Sequence, residues 1–478
     1  MPVNAARKTI ALTPSVEFDA ALVRKLNKMG PRYTSYPTAD RFSDAYDAAA
    51  YARAVGSLGA GANNAPLSLY VHIPFCASLC YYCGCNKIIT QDKTKAVQYL
   101  DYLYREIAMQ GALLAGRKQV DQLHFGGGTP TYLSDDQMDA LLATLRRHFD
   151  FVPDERGEFS IEVDPRTVDP ARIATLRRQG FNRISLGIQD FDPAVQRAVN
   201  RIQSYARTMD VLNAARDCGF RSISVDLIYG LPLQSVASFG PTLDKIVAAR
   251  PDRIAVYNYA HMPHLFKAQR LIAAEDLPDA ESKLAMLGLC IARLTAAGYV
   301  YIGMDHFALP EDDLARSQRD GKLQRNFQGY STHADAPMVA LGVSAISAVG
   351  ASYSQNEKTL SAYYDRLDRG ELPVARGIAL SDDDLLRRAV IGRLMCDFEL
   401  SYADLAMPGG AAARDYFAPE LARLRVLEDE GLLRMDEHGV IVTMRGRLLI
   451  RNICMAFDRY LHAPRDAGPA PARYSHTI

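Results

Sequence analysis

The sequence carries no surplus of charge of either sign: 55 Lys and Arg face 55 Asp and Glu over 478 residues. A neutral sum supplies no whole-chain attraction to nucleic acid or an anionic membrane, so only local patches remain for such partners. The chain is also poor in cysteine. Eight are far too few for a disulfide scaffold of this length. A long apolar run is missing. Met338–Val349 is interrupted by Gly and Ser and falls well short of the ~20 residues a membrane span needs. Thr9–Pro14 is too short for the core of a signal peptide. No internal repeat is evident. These absences leave a soluble, cytoplasmic expectation with no membrane span. The length suggests about three domains at ~150 residues each, and 48% hydrophobic with 23% charged residues is ordinary globular composition.

What the sequence does have is concentrated. Four of the eight cysteines, Cys76, Cys80, Cys83 and Cys85, fall within ten residues. The other four, Cys218, Cys290, Cys396 and Cys454, are scattered among apolar residues and read as buried small hydrophobes. In a reducing compartment, clustered thiols bind metal or do redox chemistry more often than they form structural disulfides.

From residue 67 a rhythm of strand and helix begins. β-branched and aromatic runs at Leu67–Ile73, Val120–Phe125, Phe159–Val163, Arg183–Gly187, Ser222–Ile228 and Arg253–Tyr257 predict strands, with helical patterns between them. Ser134-Asp135-Asp136-Gln137 has the form of a capping box, and Gly180 and Gly219 stand where helices should stop. Six strand–helix units predict a parallel sheet, either an open doubly wound sheet or a barrel wall. Polar residues recur at the ends of successive strands: His72, Gly126 to Thr129, Glu162 and Asp164, Gln189 and Asp190, Asp226, and Asn258 to His261. A barrel assembles its site from the C-terminal ends of several strands, which favours the barrel.

Residues 1–66 lack strong periodicity, include Gly30–Pro37 as a motif-like stretch, and end in a Gly/Ala/Asn loop at Gly56–Pro66. Residues 270–375 are mixed. After about 376, expected helices at Ser381–Cys396, Tyr416–Glu430 and Met444–Tyr460, with a hairpin around Asp436–Gly439, suggest a small winged-helix-like domain. Its residues 416–462 hold seven Arg against seven Asp and Glu, so the basic footprint of a DNA reader is missing and a structural or substrate-covering role is favoured. The expected division is an N-terminal, substrate-side extension at 1–66, a catalytic domain at 67–375, a helical domain at 376–462 and a flexible tail at 463–478.

Thiolates are soft ligands suited to zinc or iron–sulfur clusters. Zinc knuckles split their ligands into two distant pairs, and no second pair follows here. Ferredoxin runs space their cysteines differently and place Pro after the fourth, where this chain has Asn86. Cys76-x3-Cys80-x2-Cys83 resembles the motif of radical S-adenosylmethionine enzymes, and Gly126-Gly127-Gly128-Thr129-Pro130 after the second strand fits their glycine loop. Beyond that motif, the chain is similar to the oxygen-independent coproporphyrinogen III oxidases from about residue 18 to about 462. The likeness is carried by Pro31–Thr38, Tyr70–Cys76, Cys83–Lys87, Ile161–Pro165, Gly187–Phe191, Val199–Arg201, Asp226–Pro232, Asn258–His261, Gly303–Phe307, Asn326–Tyr330 and Gly342–Ile346.

The resemblance implies a partial (βα)6 TIM-like barrel and conversion of coproporphyrinogen III to protoporphyrinogen IX. It implies one [4Fe–4S] cluster held by Cys76, Cys80 and Cys83, with the fourth iron open to S-adenosylmethionine (AdoMet), and two AdoMet molecules. Tyr70, Gly127, Glu162 and Ile346 match positions near the first AdoMet. Tyr82, Gly128, Thr129, Gln189, Arg201, Asp226 and Ala260 match positions near the second. Tyr70 joins the three thiols among the residues expected at the reacting centre. Arg32, His72, Cys85, Lys87, Arg325 and Gln328 are candidates for the substrate side. An external reductant such as flavodoxin or ferredoxin and a monomeric state are also implied. By residue type alone, Tyr70 and Ile346 could be core residues, Glu162 and Asp226 structural carboxylates, and Arg201 a surface ion pair. A haem chaperone on the same fold is the alternative function, although such chaperones typically lack Cys85 and the Tyr33–Pro37 segment. A zinc or simple iron–sulfur structural protein is a third.

Overall fold

The computed structural model describes residues 16–58, 65–114, 116, 118–334, 336–462, 474 and 476. The expectations for Thr9–Pro14, for most of the Gly56–Pro66 loop and for most of the 463–478 tail lie outside these residues. The chain divides into two units. One comprises residues 37–287 and 335–385, the other residues 1–36, 288–334 and 386–478.

The first unit carries all six expected strands: β1 (Leu67–Ile73), β2 (Gln119–Gly127), β3 (Glu158–Val163), β4 (Arg183–Gln189), β5 (Ser222–Tyr229) and β6 (Arg253–Asn258). They pair in parallel and in sequence order, β1 to β6. An open doubly wound sheet reverses its order part-way, whereas a barrel wall does not. The wall is partial. On its free side β1 pairs not with β6 but with β7 (Met338–Leu341), again in parallel, and β8 (Ile346–Val349), β9 (Ser352–Asn356) and β10 (Val374–Ala379) continue as an antiparallel meander.

Alternation along the strands makes the inner face polar. In β3, Phe159, Ile161 and Val163 are buried while Glu158, Ser160 and Glu162 alternate with them. Tyr70, His124 and Ser160 stand side by side across β1, β2 and β3. The outer face is covered by α1 (Thr94–Leu113), α2 (Asp135–His148), α3 (Pro170–Arg178), α4 (Tyr205–Asp217) and α5 (Val236–Ala249). α2 starts with the expected capping box, Ser134 accepting from Gln137 N–H and Gln137 reaching back to Ser134 N–H. Gly180 and Gly219 follow α3 and α4 at φ +106° and +76°, values that close a helix at little cost only for glycine.

In the second unit, Glu399–Ser401, Gly439–Val442 and Leu433–Met435 form a three-stranded antiparallel sheet among helices, the winged-helix-like arrangement expected. Two expected helices are shorter or broken. Tyr416–Glu430 becomes Ala413–Tyr416 followed by Ala418–Asp429, because Pro419 suits a new first turn. Met444–Tyr460 becomes a 3-10 turn at Arg447–Leu449, a helix at Ile450–Ala456 and a last turn at Arg459–His462. Asp458 makes the break: one carboxylate oxygen accepts Tyr460 N–H at 3.0 Å and the other accepts the Tyr33 hydroxyl at 2.9 Å. The segment before residue 37 is held in this unit by Arg451, which is 2% exposed and donates to the carbonyls of Gly30 and Pro31.

Candidate active site

The cysteine loop leaves the end of β1 and is tied at both ends. Phe75–Cys76 pairs in parallel with Ile88–Ile89. Tyr81 N–H donates to Val199 O at 3.0 Å and Asn200 donates to Leu79 O at 2.7 Å, fixing the middle of the loop to the end of the β4–α4 connection. Gln269, 3% exposed, donates to Tyr82 O at 3.0 Å and to Ala260 O at 3.2 Å, so one amide joins the loop to the segment after β6.

The thiols are met by donors. Thr129 Oγ1 donates to Cys76 Sγ, and Arg166 and Arg201 each donate to Cys80 Sγ, all at 3.4 Å. Burial pushes the Cys76 thiol up to about 11, with the Thr129 hydrogen bond acting against it. Cys83 and Cys85 share a hydrogen bond that lowers the Cys83 thiol and raises Cys85. Among the described residues, no three His, Cys, Asp or Glu side chains converge on a single ion position. Four thiols on this one loop are soft ligands, the kind that suits an iron–sulfur group. Beside it, Cys83, Cys85, Lys87, Leu265, Phe266 and Leu271 line a cleft of about 460 Å³.

The glycine turn packs against this loop. A Cβ on Gly128 would stand 2.8 Å from the Pro74 and Phe75 backbone, and one on Gly126 would stand 2.9 Å from Glu162 Oε1. Gly127 adopts φ +113°, and a Cβ there would meet the His72 ring at 2.7 Å. Glycine is thus required by close approach as well as by conformation. Gly127 N–H donates to Glu162 Oε2 at 3.3 Å, and His124 meets Oε1 at 3.1 Å. Burial pushes the Glu162 carboxyl up, but the hydrogen bonds from His124 and Gly127 and the His124 charge together hold it below its usual value. Its side chain is 45% accessible although it lies deep among protein atoms, as a cavity-lining group would.

Tyr70 stacks on His124 at 5.8 Å and reaches His72 Nδ1 at 3.2 Å. His72 Nε2 lies 3.0 Å from Asn86 O, so it must carry the proton and Nδ1 must accept from Tyr70. Both His72 nitrogens are therefore occupied, Nε2 in holding the cysteine loop at Asn86 and Nδ1 in fixing Tyr70 on β1.

A second wall stands on β4 and β5. Arg201, 7% exposed, donates to Gly187 O at 2.6 Å and pairs with Asp164 at 3.2 Å, while its Nε meets no partner among the described residues. Asp164 is clamped further by Arg166 at 2.7 Å. A bulge between Gly187 and Gln189 puts Gln189 at φ +70° and re-aims it at the strand end. Ser185 donates to Asp226 at 3.0 Å. Burial, and then the neighbouring Glu162 charge, push the Asp226 carboxyl up to about 7. Tyr82 packs on the apolar group of Val195, Val199, Ile228, Leu231, Tyr259 and Ile272.

The sequence profile of the Radical SAM superfamily matches residues 70–246, and that of the HemN C-terminal domain matches residues 380–449. The oxygen-independent coproporphyrinogen III oxidase of Pseudomonas aeruginosa is 49% identical over 447 residues, covering 94% of this chain and 97% of the relative. That of Escherichia coli is 51% identical, covering 93% and 96%. A solved structure described as coproporphyrinogen III oxidase from Escherichia coli, a radical SAM enzyme, aligns at TM-score 0.88 and 49% identity over 93% of this chain and 100% of its own. This chain belongs to the oxygen-independent coproporphyrinogen III oxidase family.

Membership in this radical SAM family carries a [4Fe–4S] cluster and AdoMet, and the residues present fit both. Three thiols with their donors share one loop, and the glycine turn leaves room beside Glu162 that any side chain would fill. Cys76, Cys80, Cys83, Tyr70, His72, Gly127, Gly128, Thr129 and Glu162 are joined by contacts around one strand end, and Arg201 links Cys80 to the second wall. Ile346 lies on β8, opposite Gln355. Cys85 is exposed, and Lys87 donates to Cys83 O at 2.8 Å. Arg32, Arg325 and Gln328 belong to the other unit, where Arg32 pairs with Asp305.

Asp190 differs from the other strand-end polar residues. It is 2% exposed and receives Thr242 and Gln234, each at 2.6 Å, which makes it a structural brace. Sequence reasoning missed three residues that hold this arrangement together. His124 stood two positions before the glycine turn on the alternating face of β2, a signal that was available. Arg166 follows the quoted Ile161–Pro165 motif by one residue. Gln269 lies between the last expected strand and the mixed region, and no local pattern marks it.

Proposed function

We propose that this chain oxidatively decarboxylates two propionates of coproporphyrinogen III to vinyl groups, giving protoporphyrinogen IX. The observation that carries the reading is the continuous set of contacts joining the three-cysteine loop, the glycine turn and the strand-end carboxylates, in a chain 49–51% identical to enzymes named for this substrate. Cys76, Cys80 and Cys83 hold the cluster, and Cys85 stays a protonated neighbour of Cys83. When bound and reduced, the cluster and AdoMet supply a 5′-deoxyadenosyl radical.

The chain's residues bind and orient. Gly127 and Glu162 receive the methionine amino group of the first AdoMet, with Tyr70 and Ile346 beside it. Arg201 pairs with the carboxylate of a second AdoMet, Asp226 accepts its hydroxyl hydrogens, and Tyr82, Gly128, Thr129, Gln189 and Ala260 complete that wall. Two sites match the stoichiometry, because each propionate loses one hydrogen atom, one CO2 and one electron. Lys87 and Cys85 face the cleft beside the cluster, and Gln328 lies on the substrate side of the other unit. The functional division follows the expected boundaries at 66, 375 and 462. The protein works as a cytoplasmic monomer fed by a flavodoxin- or ferredoxin-like reductant.

The test is anaerobic. Reconstituted protein with AdoMet, a strong reductant and coproporphyrinogen III should release CO2 and form protoporphyrinogen IX, and C76A should do neither. Turnover by C76A would overturn the reading. Haem retention without turnover would replace it with the chaperone.

A further inference from the structure

The hairpin Gln324–Asn326/Gly329–Ser331 places Arg325 opposite Tyr330, and the guanidinium lies 4.8 Å above the Tyr330 ring. Tyr330 is fixed beneath it, donating to Met395 O at 2.9 Å and packing edge-on against His306 at 5.4 Å. Nε and Nη1 of Arg325 are buried and meet no acceptor among the described residues. A guanidinium is always charged, and leaving its buried N–H groups unpaired is costly.

The surroundings add to that cost. Arg32 is held by Asp305, and the Arg451 side chain is spent on the Gly30, Pro31 and His476 carbonyls. Burial, then the charge of Arg32, with Arg325 adding to it, holds the Arg451 guanidinium down to about 9. Three guanidiniums thus share a neighbourhood in which Asp305 is engaged by Arg32. The half-buried Arg325 faces these cations with its Nε and Nη1 unmet among the described residues.

We propose that Arg325, with Arg32 beside it, forms a carboxylate-binding subsite that takes a propionate of the porphyrinogen. The inference rests on the proposed substrate. A planar guanidinium held flat on a tyrosine presents a fixed set of donors, which suits a carboxylate. Tyr330 sets the direction of Arg325 and Asp305 that of Arg32, so the subsite selects where a propionate lies as well as how many charges the ligand has.

Coproporphyrin III, the stable oxidised form with all four propionates, is the probe, titrated by fluorescence into the full chain. R325Q should raise its Kd about tenfold and R325K by a smaller factor, while the tetramethyl ester should bind wild type and R325Q equally. An unchanged Kd for coproporphyrin III in folded R325Q overturns the subsite. Should R325Q fail to fold, the wild type decides alone: an ester that binds as tightly as the free acid overturns the proposal. A wild type that turns over coproporphyrinogen while R325Q keeps full affinity leaves the function standing and removes only the subsite. A wild type that neither binds coproporphyrin III nor turns over its reduced form removes the reading beneath it.

Discussion

Glu106 sits on α1, fully buried, and its carboxyl receives Tyr363 OH at 2.5 Å, Gly342 N–H at 2.7 Å and Asn356 Nδ2 at 2.7 Å. It therefore locks the helix to the turn that leads from β7 into β8 and to Ile346. Burial pushes this carboxyl from 4.5 up to about 7, against the three hydrogen bonds that hold it down. Between these values the folded protein keeps a proton that the unfolded chain has lost. Stability contributed by Glu106 is complete below about 4.5, falls as pH rises towards 7, and is level above that. The displacement corresponds to at most about 3 kcal/mol. Glu106→Gln does not titrate, and its NH2 would face donors, at a cost of about 1–3 kcal/mol. The variant should unfold at lower urea than wild type at pH 5, and the gap should narrow by up to about 3 kcal/mol by pH 8. A gap independent of pH would refute the buried, proton-retaining carboxyl, and one that widens with pH would show the opposite shift.

Cys85→Ser should leave iron content and the visible absorbance of the reconstituted cluster at wild-type level, because three thiols suffice, whereas Cys83→Ser should lose both; iron analysis distinguishes them. Gly128→Ala places a Cβ 2.8 Å from the Pro74 and Phe75 backbone, where nothing flexible can yield. It should weaken AdoMet binding about tenfold or more by equilibrium dialysis, the scale of 1–3 kcal/mol of strain.

The barrel strands were legible because each is a β-branched run ended by a polar or glycine residue, and chain order matched sheet order. The meander was not. Met338–Leu341 and Ile346–Val349 are four residues each and lie inside one weakly apolar stretch, with the reversal supplied by Gly342 at φ +100° and Ser344 at φ +61°. Local patterns could not reveal that turn. The site divided in the same way. Cysteine spacing and the glycine turn mark themselves, but His124, Arg166 and Gln269 act through partners distant in sequence. Asp190 shows the converse: its strand-end position looked like the others, and only its bonds to Thr242 and Gln234 identify it as a brace.

In the proposed reaction a hydrogen atom leaves the propionate carbon attached to the ring, since the vinyl product keeps one hydrogen there where the propionate has two. Coproporphyrinogen III deuterated at those carbons and turned over anaerobically with unlabelled AdoMet tests it directly. Mass spectrometry should find deuterium in the 5′-deoxyadenosine formed, in step with vinyl production. Protoporphyrinogen formed with unlabelled 5′-deoxyadenosine would contradict it.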